Sequence, residues 1–460
     1  MQPVVTVEEM RAIDAAAQRD TPVETLIERA GAVAAHAALD LLGGAYGRRV
    51  VVVAGKGHNG DDGRVAARHL AARGARVTVI DVASAPPSLP EADLVVDAAF
   101  GTGFRGEYDA PRTDAPVLAL DIPSGVDGDT GQAGSGAVRA TATVTFAAWK
   151  PGLLLGDGPE RAGRVRVADI GLDCSCARAG LVGSDDLAAR VPRRTREWHK
   201  WKTAVGVVAG APGMMGAATF CTRGALRAGA GMVRLAVPGA GPADLPAAEA
   251  VATGLPAEGW AAGAAEWVQR CGAVVVGPGL GRAAGTAEAV RRLVADAPVP
   301  VLVDADGLHA LGRDAGAVLR TRSAPTVLTP HAGEFEVLTG AAPGPDRLAV
   351  TRSLAADTGA VVLLKGSTTV VAGPDGRVLL SAAGGPGLAT AGTGDVLSGV
   401  IAAFLASGLD PLWGAALGAH THGVAGSRGL PHGLVAGDLP ELVAAVLSEL
   451  VTGDGPEGGP

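Results

Sequence analysis

A chain of 460 residues is too long for one ordinary hydrophobic core, so two or three domains are expected. Apolar residues make up 48% and charged residues 19%, which excludes a disordered chain and points to well-packed domains. The net charge of −8, from 39 basic and 47 acidic residues, argues against a nucleic-acid partner. The 69 glycines and 30 prolines form no short repeat and serve as turn chemistry. Cys174, Cys176, Cys221 and Cys271 lack zinc-type spacing and make no disulfide scaffold, so a reducing cytoplasm is the expected location. The first residues lack the basic-then-apolar order of a signal peptide, and no window approaches the roughly 18 apolar residues of a membrane span.

In chain order, residues 7–42 carry an amphipathic helical pattern, followed by the continuous apolar run Arg49–Ala54, a strand buried on both faces. A glycine-rich turn is read at 55–63, a helix at 64–73 and a second strand at 76–82, a βαβ unit with a parallel sheet. Further strands at 93–98, 116–120 and Ala142–Phe146 each end at a polar loop. Doubly wound sheets bind ligands at the carboxyl ends of their strands, so each loop is a candidate wall of one pocket. Residues 173–196 break the pattern and read as a linker, with the basic run 190–196 as a solvated face. A second alternation follows, with strands at 204–209, 232–237, Ala273–Val276, 299–303, Thr326–Leu328 and 360–364, again α/β. The tail from 452 is expected to be disordered.

Gly55-x-Gly57-x-x-Gly60 matches a dinucleotide fingerprint, with Asp81 closing the next strand. Asn59, Asp61 and Asp62 in the same loop also suit a polar pocket for a hard cation, or a solvated loop whose acids cap the helix. Asp97, the cradle Gly101-Thr102-Gly103-Phe104-Arg105-Gly106, and Asp121 with Ser124 supply acids and a phosphate-sized loop; Lys150 is a possible counter-charge. In the second half, Asp395 follows Ala391-Gly392-Thr393-Gly394 at the start of an apolar helix. Small residues there expose N–H groups to an anion and set Asp395 as a base; an ordinary glycine turn capped by Asp395 is the alternative. Lys365-Gly366-Ser367-Thr368-Thr369 suits nucleotide phosphate or ribose. His331 is placed to bind substrate and Glu334 to hold magnesium through water, while Asp304 and Asp306 serve equally well as helix caps.

Taken in order, these strings resemble the bifunctional NAD(P)H-hydrate repair enzymes, an epimerase fused to a nucleotide-dependent dehydratase. TVEEMRAID, LIERAG, GKGHNGDDG, VDAAFGTGFRG and LDIPSGVDGDTG carry the first half of the resemblance. HKWK, APGMMGAA, ALRAGAGMV, VGPGLG, VDADGL, TPHAGEFEVLTG, LKGSTTVV and ATAGTGDVLSGV carry the second.

The resemblance implies a Rossmann-like epimerase over 1–182, a ribokinase-like dehydratase over 183–451, and a tail over 452–460. The substrates would be the hydrates of NADH and NADPH, with ADP, or ATP, as co-substrate in a cytoplasmic homo-oligomer. Carried over by motif, Asn59, Asp97 and Ser124 match potassium ligands, and Asp121 matches a substrate-binding, catalytic acid. His58, Asn59, Gly60, Asp61 and Asp62, with Gly101, Thr102, Gly103, Phe104, Arg105 and Gly106, match epimerase substrate contacts. Ala217, Gly279, Gly281, His331 and Asp395 match the substrate side of the dehydratase, with Asp395 as base. Lys365, Gly366, Ser367, Thr368, Thr369 and Gly394 match its nucleotide side. The family pattern usually has Asn at the position of His58, Gly at that of Asp61 and Pro at that of Ala332; a bulkier Asp61 is expected to crowd the substrate. The alternatives are a small-molecule kinase of the ribokinase-like type, or a dehydratase with an inactive first domain.

Overall fold

The computed structural model describes residues 1–241 and 249–452, so all but the first residue of the tail expected from 452 lies outside the described residues. The chain separates into two compact units between Gly180 and Leu181.

In the first unit, β1 (Arg49–Ala54), β2 (Arg76–Asp81), β3 (Leu94–Ala98), β4 (Val117–Leu120), β5 (Ala142–Phe146) and β6 (Arg164–Ala168) form one parallel sheet. Its order is β2-β1-β3-β4-β5-β6. The apolar runs are continuous because both faces are covered: Val50 and Val52 join Ala34, Ala38 and Leu70 on one side, and Val51 and Val53 join Val95 and Ala119 on the other. The pattern read over 7–42 is two helices, α1 (Val7–Ala17) and α2 (Val23–Leu42), parted by a turn over 18–21 and by Pro22, which stands at the N-cap of the second. The helix after β1 starts earlier than the sequence suggests. α3 spans His58–Ala72, so Asn59, Gly60, Asp61 and Asp62 lie in its first turns and the turn is only Gly55-Lys56-Gly57.

The second unit has β7 (Ala204–Val208), β8 (Met232–Pro238), β9 (Val251–Leu255), β10 (Ala273–Val276), β11 (Val301–Val303), β12 (Thr326–Leu328) and β13 (Val361–Leu364) in parallel. An antiparallel pair, β14 (Thr369–Ala372) and β15 (Val378–Ser381), extends it to the order β15-β14-β13-β12-β11-β10-β7-β8-β9. Thr369 therefore opens a strand and does not end a loop.

Of the helices, α4 (Met215–Arg227), α5 (Ala332–Thr339), α6 (Thr393–Ala406) and α7 (Pro411–Ser427) matter for the site. α6 is buried almost all round, as its unbroken apolar composition requires. It meets α4 through two glycines: a Cβ at Gly224 would stand 2.4 Å from the carbonyl oxygen of Val396, and one at Gly399 would stand 2.1 Å from that of Cys221.

The stretch read as a linker is partly ordered as the strand Ala179–Leu181 and the helix Ser184–Arg190, anchored by the fully buried Leu187. Among the described residues no helix is long and apolar enough to cross a membrane.

Candidate active sites

The strand order of the first unit reverses between β1 and β3, the position where such sheets open a crevice. A cavity of about 530 Å³ lies there, lined by His58, Asn59, Gly60 and Asp62 of α3 and by Gly101, Thr102, Gly103 and Phe104 after β3. Asp14, Asp121 and Lys150 complete the wall. Asp121 follows β4 at φ +66°, a backbone conformation uncommon outside glycine, which turns its carboxylate into the cavity. Lys150, only 1% exposed, reaches Asp121 Oδ1 at 2.7 Å. It also donates to Thr145 Oγ1 at 2.9 Å and to the Phe146 carbonyl at 2.8 Å. Thr145 Oγ1 and the Thr102 amide donate to Asp121 in turn.

Burial alone would raise the Asp121 carboxyl, but the Lys150 ammonium and these hydrogen bonds outweigh it and hold it below the usual carboxylate range. Asp62 goes the other way, pushed up to about 8 by burial and then by the charges of Asp121, Asp61 and Asp14. Asp14, the last residue of TVEEMRAID, to which no role is assigned from sequence, is raised by burial and by Asp121.

The other predicted residues of this unit separate into two groups. Asp97 is buried behind the cavity wall, where Ser124 donates to it from Oγ at 2.7 Å and from its amide at 2.8 Å; burial pushes its carboxyl up to about 6. Asn59 stands beside Gly101, and among the described residues neither atom of its buried amide has a partner. Asp61, Arg105 and Gly106 lie outside the cavity wall. Asp61 is drawn off by Arg64 at 3.2 Å, and Arg105 by Asp127 at 3.0 Å and Asp129 at 3.3 Å. At its place in the first turn of α3 the Asp61 side chain is turned toward Arg64.

In the second unit the reversal falls between β10 and β7. The loops after these strands are joined by the Gly210 amide donating to the Pro278 carbonyl at 2.8 Å. Ala217 and Gly279 are neighbours, since a Cβ at Gly279 would lie 3.1 Å from that of Ala217. The Gly281 amide donates to Asp306 Oδ2 at 2.9 Å, so Asp306 braces the glycine loop and is no helix cap. His331 caps α5, its Nδ1 accepting from the amides of Gly333 and Glu334, and Glu334 Oε2 accepts the His331 amide at 2.9 Å. Lys365 at the end of β13 reaches Asp304 Oδ1 at 2.7 Å, and a Cβ at Gly394 would stand 3.6 Å from its ammonium. Asp395, half-buried at the start of α6, is pushed up to about 7 by burial and then by Asp304, against the opposing charge of Lys365.

A helix N-terminus for an anion, a lysine beside it and a carboxylate poised near neutrality are the parts of a phosphoryl-transfer site. They sit on the sheet of a ribokinase-like fold, and the first unit adds a Rossmann-like cavity of its own. The class is therefore a two-site α/β enzyme.

The comparisons with known proteins narrow this class. The profile described as NAD(P)H-hydrate dehydratase matches residues 205–447, and that described as YjeF-related protein N-terminus matches 23–90 and 81–152. The bifunctional NAD(P)H-hydrate repair enzyme of Salinibacter ruber is 39% identical over 97% of this chain and 96% of its own. That of Mycobacterium tuberculosis is 41% identical over 89% of this chain and 90% of its own. Among solved structures, an ADP/ATP-dependent NAD(P)H-hydrate dehydratase of Bacillus subtilis, co-crystallised with ATP and Mg2+, aligns with TM-score 0.51 and 29% identity. The match covers 58% of this chain and 97% of that one. A ribokinase-like protein of Enterococcus faecalis aligns with TM-score 0.52 at 21% identity over 59% of this chain and 96% of its own, a likeness of fold. The chain belongs to the family of bifunctional NAD(P)H-hydrate repair enzymes.

Proposed function

We propose that the chain returns hydrated NADH and NADPH to the intact cofactors by two reactions, with residues 1–182 epimerising the R and S forms at C6 and residues 183–451 dehydrating the S form at the expense of ADP, or ATP. The observation that carries this reading is kinship with two-activity relatives along nearly the whole chain, together with a charged site in each unit.

In the dehydratase, the C6 hydroxyl is a poor leaving group until it is phosphorylated. Asp395 takes its proton as the oxygen attacks the terminal phosphorus, and Lys365 with the first turn of α6 balances the charge on the phosphoryl oxygens. The C6–O bond then breaks, phosphate leaves, and loss of a proton from the adjacent ring carbon restores the double bond. Ala217, Gly279, Gly281 and His331 form the substrate side; Lys365, Gly366, Ser367, Thr368, Thr369 and Gly394 form the nucleotide side. Asp304, Asp395 and the buried Glu334 outnumber the Lys365 ammonium, which suits magnesium held at Glu334; when bound it would neutralise nucleotide phosphate charge.

In the epimerase, Asp62 supplies the proton with which the hydroxyl leaves as water, assisted by the ring nitrogen. Asp121, kept ionised by Lys150, accepts a proton from the water that adds to the opposite face. His58, Gly60, Gly101, Thr102, Gly103 and Phe104 form the wall around the substrate. Asn59, Asp97 and Ser124 are oxygen donors of the kind a potassium ion takes, and the unpartnered Asn59 amide and the buried Asp97 carboxylate favour one there. When bound it would supply fixed positive charge beside an anionic substrate.

The test is recovery of reduced-nicotinamide absorbance from an R/S mixture of NADH hydrate with ADP, magnesium and potassium. Full recovery is expected, with none for Asp395→Ala and a plateau after the S form for Asp121→Ala. No recovery with either ADP or ATP overturns the assignment.

A further inference from the structure

Asp304 is buried, and none of the proton transfers or ligand contacts above is assigned to it. It does not cap the helix Asp306–Leu311 that follows it: the N-cap is Ala305, and no side chain caps that helix. Its carboxylate, 2% exposed, is fully engaged elsewhere, Oδ1 accepting from Lys365 Nζ at 2.7 Å and Oδ2 from Ser398 Oγ at 2.7 Å. Lys365 opens the nucleotide loop after β13, and Ser398 lies one turn beyond Asp395 on the same face of α6. One buried carboxylate thus ties the loop to the helix.

The backbone around it is shaped for this placement. Ala305 sits at φ +51°, strain that a non-glycine residue adopts only where its surroundings impose it. A Cβ at Gly277 would stand 1.9 Å from the Asp304 carbonyl oxygen, so the loop after β10 can close on this segment only as glycine. A buried carboxylate is tolerable when both oxygens are paired, and here each has a donor.

We infer that Asp304 is a positioning residue of the phosphoryl-transfer site: it holds the Lys365 ammonium against the first turn of α6, so that the nucleotide loop and the base Asp395 keep a fixed separation, without itself touching nucleotide or hydrate. The inference rests on the roles proposed for Lys365 and Asp395.

The experiment uses the full chain, with ADP affinity measured calorimetrically in the absence of hydrate and kinetics measured with the S hydrate. Asp304→Asn keeps the volume but loses the charge that orients Lys365, so ADP affinity should fall about tenfold. A misplaced base and ammonium should lower kcat about 100-fold while the hydrate KM stays within about twofold. Ser398→Ala removes only the helix side of the link; ADP affinity should stay within about twofold and kcat fall about fivefold. Unchanged ADP affinity and kcat in Asp304→Asn, or an equal loss for ADP and hydrate, overturns the inference. Should Asp304→Asn not fold, an unchanged kcat in Ser398→Ala does the same. Failure of the parent reading is distinguishable, because the wild-type chain would then neither bind ADP nor restore the nicotinamide.

Discussion

Asp121 and Asp395 both stand at the ends of secondary-structure elements, yet their surroundings drive them in opposite directions. Asp121 is half-buried with Lys150 at 2.7 Å, and the net effect is a carboxyl held low. Asp395 is raised to about 7 by burial and by Asp304, whose own charge Lys365 and Ser398 already share. Only the ionised form accepts a proton, so the dehydratase kcat/KM should fall about tenfold per pH unit below a midpoint near about 7. A pH profile with the S hydrate reads this directly, and a profile flat down to about pH 5 counts against Asp395 as the base. The Asp395 position was legible because small residues precede it and an apolar helix follows. Asp14 carries no assigned role in the sequence, although it closes TVEEMRAID and Val7, Met10 and Asp14 follow helical spacing, which places an acid on the buried stripe of α1. Asp304 was legible as a residue but not as a link, because Lys365 and Ser398 are far from it in the chain.

At the level of elements, strands were easier to read than the starts of helices. β10 falls where the continuous apolar run Ala273–Val276 places it. β5 and β12 also fall where they are read although Thr143, Thr145 and Thr326 are polar, because these threonines are buried with their apolar neighbours. The start of α3 was missed because Asn59, Gly60, Asp61 and Asp62 are poor helix formers by propensity, and packing overrides that preference. Gly60 shows how: a Cβ there would lie 2.0 Å from the Gly55 carbonyl oxygen, so the first turn of α3 folds back onto the loop only without a side chain. Gly60→Ala should therefore cost about 2 kcal/mol by overpacking against backbone and displace Asn59 and Asp62 from the cavity. Thermal unfolding and conversion of the R form check this: a lowered Tm with lost epimerisation is expected, while S-form dehydration per folded molecule persists. Wild-type R conversion in Gly60→Ala would show that the close approach is not needed.

For the whole molecule, the alternation of apolar runs gave two α/β units, but strand order was out of reach. Periodicity shows that a strand exists, whereas its neighbours are fixed by long-range pairing, and that pairing decides where each crevice opens. Each unit has its own core, centred on Val50, Val52 and Leu118 in the first and on Val207, Val275 and Val400 in the second. Each site is built from side chains of its own unit. On the proposed roles each reaction uses residues of one unit, and the epimers are small molecules free to diffuse between sites. Asp121→Ala and Asp395→Ala should consequently complement when mixed as separate proteins. Alone, the first stops once the S form is consumed and the second restores nothing; together they should bring an R/S mixture to full nicotinamide absorbance. The comparison is made at equal concentrations against wild type. A mixture that halts at the plateau of Asp121→Ala alone would mean that the R form reaches the dehydratase only from an active epimerase on the same chain.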